Sequence, residues 1–211
     1  MDNTLTSSDR LCPPAVLAYV DPSCPFAWTA AQWLLEVASR RPLSVTFDVM
    51  SVSVVNEHAE IDDWYRDFCS RAWGPARVSA AVTGRYGPGA FHRLYLALGR
   101  RIHDAGDKDL ARVIPAALSE AGLPTELATL ADDPSLDEDL RRRTAFAQSQ
   151  VGEQLGTPTL VLEGVGFFGP VLTAIPRGDD AVALFDAVRT LTATSAFSEM
   201  KRRRSGQLSF A

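Results

Sequence analysis

Two kinds of apolar periodicity alternate along this chain, and they divide it into parts. Ala15 to Val20 is a short apolar run of the kind found in a strand covered on both faces. Asp21-Pro22-Ser23 interrupts it with turn-forming residues. Ala27, Ala31, Leu34, Leu35 and Ala38 then recur on one face of a helix. Pro25 suits the first turn of that helix, where its missing N–H costs nothing. Leu43, Val45, Phe47 and Val49 alternate with Ser44, Thr46 and Asp48, which predicts a second strand. Strand, helix and strand in this order predict a right-handed βαβ unit on a parallel pair.

From about Glu57 to Gln154 the alternation disappears and only helical stripes remain. Phe91, Leu94, Tyr95, Leu98 and Ile102 make one stripe. Leu110, Val113, Ile114, Ala117, Leu118 and Ala121 make another, opening at Asp109 and stopped by Gly122 and Pro124. The run Arg141-Arg142-Arg143 reads as a solvated helix face. The acidic group Asp132-Asp133 and Asp137-Glu138-Asp139 reads as the cap and first turn of a helix. Sheet character returns at Thr159–Leu162 and Val165–Phe168, joined by Glu163-Gly164, which predicts a β-hairpin. Ala181, Leu184, Phe185, Val188 and Leu191 predict a last helix. The expected organisation is a flexible leader over 1–14, an α/β domain from 15–56 and 155–195, a helical insertion over 57–154 and a tail over 196–211.

Composition narrows the class. With 211 residues, 46% hydrophobic and 22% charged, the chain has the make-up of a soluble globular protein with a sizeable core. Twenty-one Lys+Arg against 26 Asp+Glu leave a net charge of −5, so an overall basic field for nucleic acid is absent. No apolar run approaches the roughly 20 residues that cross a bilayer, so no membrane partner is expected. Met1 to Arg10 is polar and lacks the apolar core of a secretory signal. Three cysteines at wide spacings, Cys12, Cys24 and Cys69, specify neither a disulfide framework nor a zinc site. A cytoplasmic protein with reduced thiols is the expectation, with no metal and no bound cofactor, since no phosphate loop or dinucleotide fingerprint is present. A homodimer is compatible with the sequence but not specified by it.

Chemistry concentrates in Asp21-Pro22-Ser23-Cys24-Pro25-Phe26-Ala27-Trp28, which follows a buried strand and opens a helix. A cysteine at a helix N-cap faces the unsatisfied N–H groups of the first turn and the positive end of the macrodipole. Both favour thiolate, so a depressed pKa and a reactive Cys24 are expected. The second signal is Gly156-Thr157-Pro158-Thr159 just ahead of the hairpin. A proline there cannot donate to the ladder, and its preceding peptide is a natural place for a cis bond. His58, His92 and His103 share no ligand-like spacing, and His103 is expected to be a hydrogen-bonded structural residue. Trp64, Tyr65, Phe68 and Trp73 form an aromatic cluster, read as core packing or as a flat site over Cys24. Lys201-Arg202-Arg203-Arg204 reads as a solubilising tail.

Asp-Pro-x-Cys-Pro opening a helix, a long helical insertion and Gly-Thr-Pro-Thr before a hairpin together resemble thioredoxin-fold proteins of the DsbA type. The match is similar in more detail to the actinobacterial mycothiol-dependent nitroreductases, through segments such as Arg71-Ala72-Trp73-Gly74-Pro75, Phe167-Phe168-Gly169-Pro170 and Ile175-Pro176-Arg177-Gly178. The resemblance implies a thioredoxin-like α/β fold with an inserted all-helical subdomain, acting on a small electrophilic or nitroaromatic substrate with mycothiol as thiol co-substrate. It implies Cys24 as the attacking thiol, Thr157 and Pro158 as the loop lying against it, and a pocket lined by Phe26, Asn56 and Tyr65. Trp28, in the same opening turn, joins them as a candidate substrate contact. One departure stands out: the dithiol pattern Cys-Pro-Trp-Cys is here Cys24-Pro25-Phe26-Ala27, so the resolving cysteine is missing. Cys12 and Cys69 are expected to be bystanders. A monothiol cycle, a transferase or isomerase of the kappa-class or hydroxychromene-carboxylate type, and a non-catalytic binding protein all remain open at this level.

Overall fold

The computed structural model describes residues 13–152, 155–204 and 206–210. Most of the expected leader, with Cys12, lies outside the described residues. Four strands form one sheet: β1 (Ala15–Val20), β2 (Ser44–Val49), β3 (Thr159–Leu162) and β4 (Val165–Phe168), in the order β2-β1-β3-β4. β1 runs parallel to β2, pairing Ala18 with Phe47, and antiparallel to β3, pairing Ala18 with Leu160. β1 is therefore a central strand, and its continuous apolar run follows from cover on both faces. The β3–β4 turn places Glu163 at φ 51° and Gly164 at φ 85°. Two positive-φ residues are what a two-residue hairpin with native strand twist requires.

Helix α1 (Pro25–Arg40) crosses from β1 to β2 and lays its apolar stripe on the sheet. On its other flank Trp33 is fully buried and donates its indole N–H to the Ala181 carbonyl at 2.9 Å, which ties α1 to the last helix, α7 (Gly178–Ala193). Between β2 and β3 the chain is helical: α2 (Val52–Val55), α3 (Asp63–Tyr86), α4 (Pro88–Gly99), α5 (Leu110–Glu120) and α6 (Asp137–Ser149). A π-helical turn over Arg100–Asp104 extends α4, and 3-10 turns span Thr125–Asp132 and Pro134–Leu136. Local chemistry sets these boundaries. Gly87 at φ 80° closes α3, and Pro88 opens α4 without losing a hydrogen bond. Asp109 caps α5 by accepting from the Arg112 N–H, and Gly122 at φ 69° follows its end.

The helices do not form a separate core. Phe91, Leu94, Tyr95 and Leu98 of α4 belong to one buried cluster with Phe47 of β2 and with Ala27, Trp28 and Leu34 of α1. The Phe47 and Tyr95 rings lie 5.2 Å apart, so the insertion packs directly against the sheet. The arginine run on α6 is less solvated than expected. Arg143 pairs with Asp139 and reaches Asp48 on β2, while Arg141 grips the Glu57 carboxylate with bonds of 2.7 and 3.0 Å. These pairs tie α6 back to β2 and to the chain just after α2.

Candidate active site

Cys24 is the N-cap residue of α1, with extended backbone (φ −79°, ψ 115°) and Pro25 following in the first turn. Its side chain does not cap the helix. The thiol instead donates to the Thr157 carbonyl at 3.6 Å, although 133 residues separate the two in sequence. The Thr157–Pro158 peptide is cis, as the motif led us to expect, and Gly169–Pro170 is cis as well. The Thr157 hydroxyl accepts from the Asp21 N–H at 3.2 Å and donates to the Tyr19 carbonyl at 3.4 Å. The end of β1, the start of α1 and the approach to β3 thus meet at one point. It is the place where a βαβ unit and an incoming antiparallel strand leave loops on the same edge.

Cys24 is 7% exposed, and this changes its electrostatics from the sequence expectation. Burial pushes its thiol up to about 12, and the Asp21 charge adds to the rise. The backbone N–H groups of Ala27 and Phe26 and the charge of Arg204 pull the other way but are outweighed. The helix N-terminus does favour thiolate, as its geometry requires. Desolvation is simply the larger effect here, so the closed arrangement holds a protonated thiol.

Asp21, which the sequence offered only as turn chemistry, is a second buried ionisable group at this point. Its carboxylate accepts from the Ser23 N–H and the Val52 N–H, each at 2.7 Å, and so clamps the end of β1 to the start of α2. Burial raises its carboxyl to about 7, against those N–H donors, which lower it. A group that keeps its proton to about pH 7 when folded, but releases it near pH 4 when unfolded, makes the folded state the better proton binder between those values. Its contribution to stability is therefore lost as pH rises through that window. Denaturation measured from about pH 4 to pH 8 checks this. Stability of Asp21→Asn relative to wild type should climb with pH by roughly 2 to 4 kcal/mol, because the variant has no proton to release. Parallel curves for the two proteins would refute it.

The remaining candidates divide by their contacts. Asn56 donates to the Val52 carbonyl at 2.7 Å and to the Tyr65 hydroxyl at 3.4 Å. Burial pushes the Tyr65 hydroxyl up to about 12, and the charges of Cys69 and Cys24 act in the same direction. Tyr65 thus lies near enough to both thiols for their charges to act on its hydroxyl. Trp64, expected in the same cluster, is 70% exposed, and with Tyr65, Glu60, Ile61 and Asp62 it lines a shallow depression of ≈ 360 Å³. Trp73 packs elsewhere, under the guanidinium groups of Arg77 and Arg141.

Phe26 is half-buried. Trp28 lies beneath the site: it is buried, donates its indole N–H to Asp104 at 2.8 Å and stacks on His103 with centroids 5.8 Å apart. It supports its neighbours rather than presenting a face to a ligand in this arrangement. His103 is the hydrogen-bonded histidine that was expected. Its Nε2 lies 2.9 Å from the Pro22 carbonyl, and burial lowers its pKa to about 4. The neutral ring therefore donates to that carbonyl and holds the turn just before Cys24.

Residues 23–202 match a family model described as Rv2466c-like, mycothiol-dependent nitroreductase Rv2466c. The chain is 30% identical over 191 residues to the uncharacterized protein Rv2286c of Mycobacterium tuberculosis, covering 89% of this chain and 81% of that one. Among solved structures it is similar to a probable DsbA oxidoreductase, SCO1869 of Streptomyces coelicolor, at 15% identity and a TM-score of 0.56, over 92% of this chain and 96% of that one. A 2-hydroxychromene-2-carboxylate isomerase also aligns at 15% identity and a TM-score of 0.56, over 84% of this chain and 95% of that one. These likenesses establish the fold as thioredoxin-like, of the DsbA type.

Proposed function

Because the chain belongs to the Rv2466c-like family of mycothiol-dependent nitroreductases, we propose that it is a thiol-dependent oxidoreductase working through the single thiol of Cys24. The observation that carries this reading is the meeting of Cys24, at the head of α1, with the Thr157 carbonyl at 3.6 Å in the loop that leads into β3. Thr157 and Pro158 shape the floor against which a second sulfur aligns. Phe26, Asn56 and Tyr65 line the approach, and Trp28 holds the π-helical turn behind it. Mycothiol is the co-substrate, in keeping with a cytoplasmic site of action.

The cycle needs one protein sulfur. The Cys24 thiolate attacks a disulfide, an S–S bond forms to Cys24, and the leaving thiolate takes up a proton. External mycothiol then attacks the mixed disulfide on its non-protein sulfur, and Cys24 leaves as thiolate. Over one turnover two mycothiols leave as mycothiol disulfide, and the disulfide substrate takes up their two electrons and two protons and leaves as two thiols. Ala27 cannot resolve the intermediate from within, so the adduct persists until a thiol arrives.

Incubation with mycothiol disulfide followed by intact-mass measurement tests this. One mycothiol adduct, mapped to Cys24, discharged by free mycothiol and unchanged in Cys69→Ser, is the expected result. Absence of any adduct overturns the covalent cycle. An adduct that resolves into a Cys24–Cys69 disulfide overturns the monothiol form of it.

A further inference from the structure

The basic run Lys201-Arg202-Arg203-Arg204 is exposed, as expected of a solubilising tail, but Arg204 and the stretch Ser209-Phe210 also contact residues near the site. Three contacts hold this C-terminal segment. Ser209 donates its N–H to the Thr173 carbonyl at 2.8 Å. The Phe210 ring packs 5.6 Å from the His103 ring and joins the main core cluster. The Arg204 guanidinium sits over the Phe26 ring, 4.7 Å from its centroid. His103 itself is anchored to the Pro22 carbonyl, two residues before Cys24, and Phe26 is two residues after it. The segment therefore rests on residues that flank the nucleophile on both sides.

Arg204 is placed differently from the arginines that bind the helices together. Arg77, Arg141 and Arg189 each close on a carboxylate. Arg204 has no carboxylate partner among the described residues; its guanidinium carbon lies over the Phe26 ring, and the residue is exposed. A guanidinium offers paired N–H donors that match a carboxylate. Its charge also acts on the Cys24 thiol and favours thiolate there. A cation whose charge acts on a buried thiol, seated on an aromatic ring and without a carboxylate partner among the described residues, has the character of a ligand anchor.

We propose that Arg204 is a specificity-determining residue of the Cys24 site, binding the carboxylate of an anionic electrophile that Cys24 attacks. This rests on the reading of Cys24 as the nucleophile. The test separates the two by comparing iodoacetate with iodoacetamide, which differ in carrying or lacking a carboxylate. In both reactions the Cys24 sulfur forms a bond to carbon, iodide leaves with its electron pair and the thiol proton goes to solvent. The rate of Cys24 labelling is followed by peptide mass on the full chain at low ionic strength.

The iodoacetate-to-iodoacetamide rate ratio should fall about fivefold in Arg204→Gln and stay largely intact in Arg204→Lys, which keeps the charge. Arg202→Gln, which removes a neighbouring cation of the same run, should leave the ratio within about twofold of wild type. Phe210→Ala, which unpins the segment but leaves Arg204 in place, should lower it as Arg204→Gln does. A ratio indifferent to Arg204→Gln, or lowered equally by Arg202→Gln, overturns the anchor while leaving the nucleophile intact. A ratio unmoved by Phe210→Ala overturns the claim that docking of the segment positions the anchor. A Cys24 that neither reagent labels overturns both readings.

Discussion

Cys24→Ser should lose mixed-disulfide formation with mycothiol completely and thiol-dependent turnover by on the order of a thousandfold or more, while its melting temperature holds or rises. The two halves of this result have separate causes. A serine hydroxyl forms no disulfide, and its oxygen is not appreciably ionised at neutral pH, so the bond that starts the cycle cannot be made. Stability is expected to hold because Cys24 occupies an N-cap whose own side chain makes no capping bond. Serine is among the preferred N-cap residues, with an oxygen that can accept from the orphan N–H groups of the first turn. Activity and unfolding are thereby decoupled in one variant. Full retention of activity in Cys24→Ser would instead favour the isomerase or transferase reading, in which the protein only holds a bound thiolate and an alcohol suffices.

The raised thiol of Cys24 bears on how that cycle starts. A thiol buried beside a second buried acid, Asp21, is a poor nucleophile while the site is closed. The favourable groups are nonetheless in place: two N–H groups of the first turn and one guanidinium. Hydration of the sulfur, or entry of a polar substrate, removes the desolvation penalty and leaves those groups to act. Hydration of Cys24 therefore favours the thiolate with those groups already in place.

What could be read from residues follows from whether the cause is local. β2 announces itself through period-2 alternation, β1 and the hairpin strands through short apolar runs, and the Glu163-Gly164 turn through turn chemistry, all within a few residues. The ends of α5 are equally local, because Asp109 and Gly122 act on their own backbone. The approach of Cys24 to Thr157 was legible only through the resemblance of two motifs to a family, since no spacing rule spans 133 residues. The raised thiol pKa was not legible, because the dipole at a helix start is a local property and desolvation is a property of the whole fold. The burial of Trp28 and the contact of Arg204 with Phe26 were not legible for the same reason. An aromatic residue in an active-site turn reads as a ligand contact and a terminal basic run reads as solvent-facing; packing buries the first and lays Arg204 of the second on Phe26.

Gly99→Ala should be strongly destabilising for a single methyl group, costing about 3 kcal/mol and lowering the melting temperature by about 10 °C. Gly99 has ordinary helical dihedrals (φ −61°, ψ −43°), so its backbone gives alanine no difficulty, and alanine is the better helix former. The reason for glycine is space. A Cβ built there would stand 2.1, 2.2 and 2.6 Å from Cζ3, Cε3 and Cη2 of Trp28. The indole cannot step aside: it is 1% exposed, bonded to Asp104 at 2.8 Å and stacked on His103. Gly99 is the last residue of α4 and Trp28 lies in the first turns of α1, so the contact is a seam between the helical insertion and the α/β domain. Forcing it open pushes α1 and the π-helical turn apart within four residues of Cys24. Cys24 should therefore become more accessible to neutral alkylating reagents in the same variant that melts early. Pairing Gly99→Ala with Trp28→Leu, which makes room for the methyl group, should recover part of the lost stability relative to Trp28→Leu alone. A melting temperature within about 2 °C of wild type would mean that the seam can relax, and that Trp28 is not the fixed support described above.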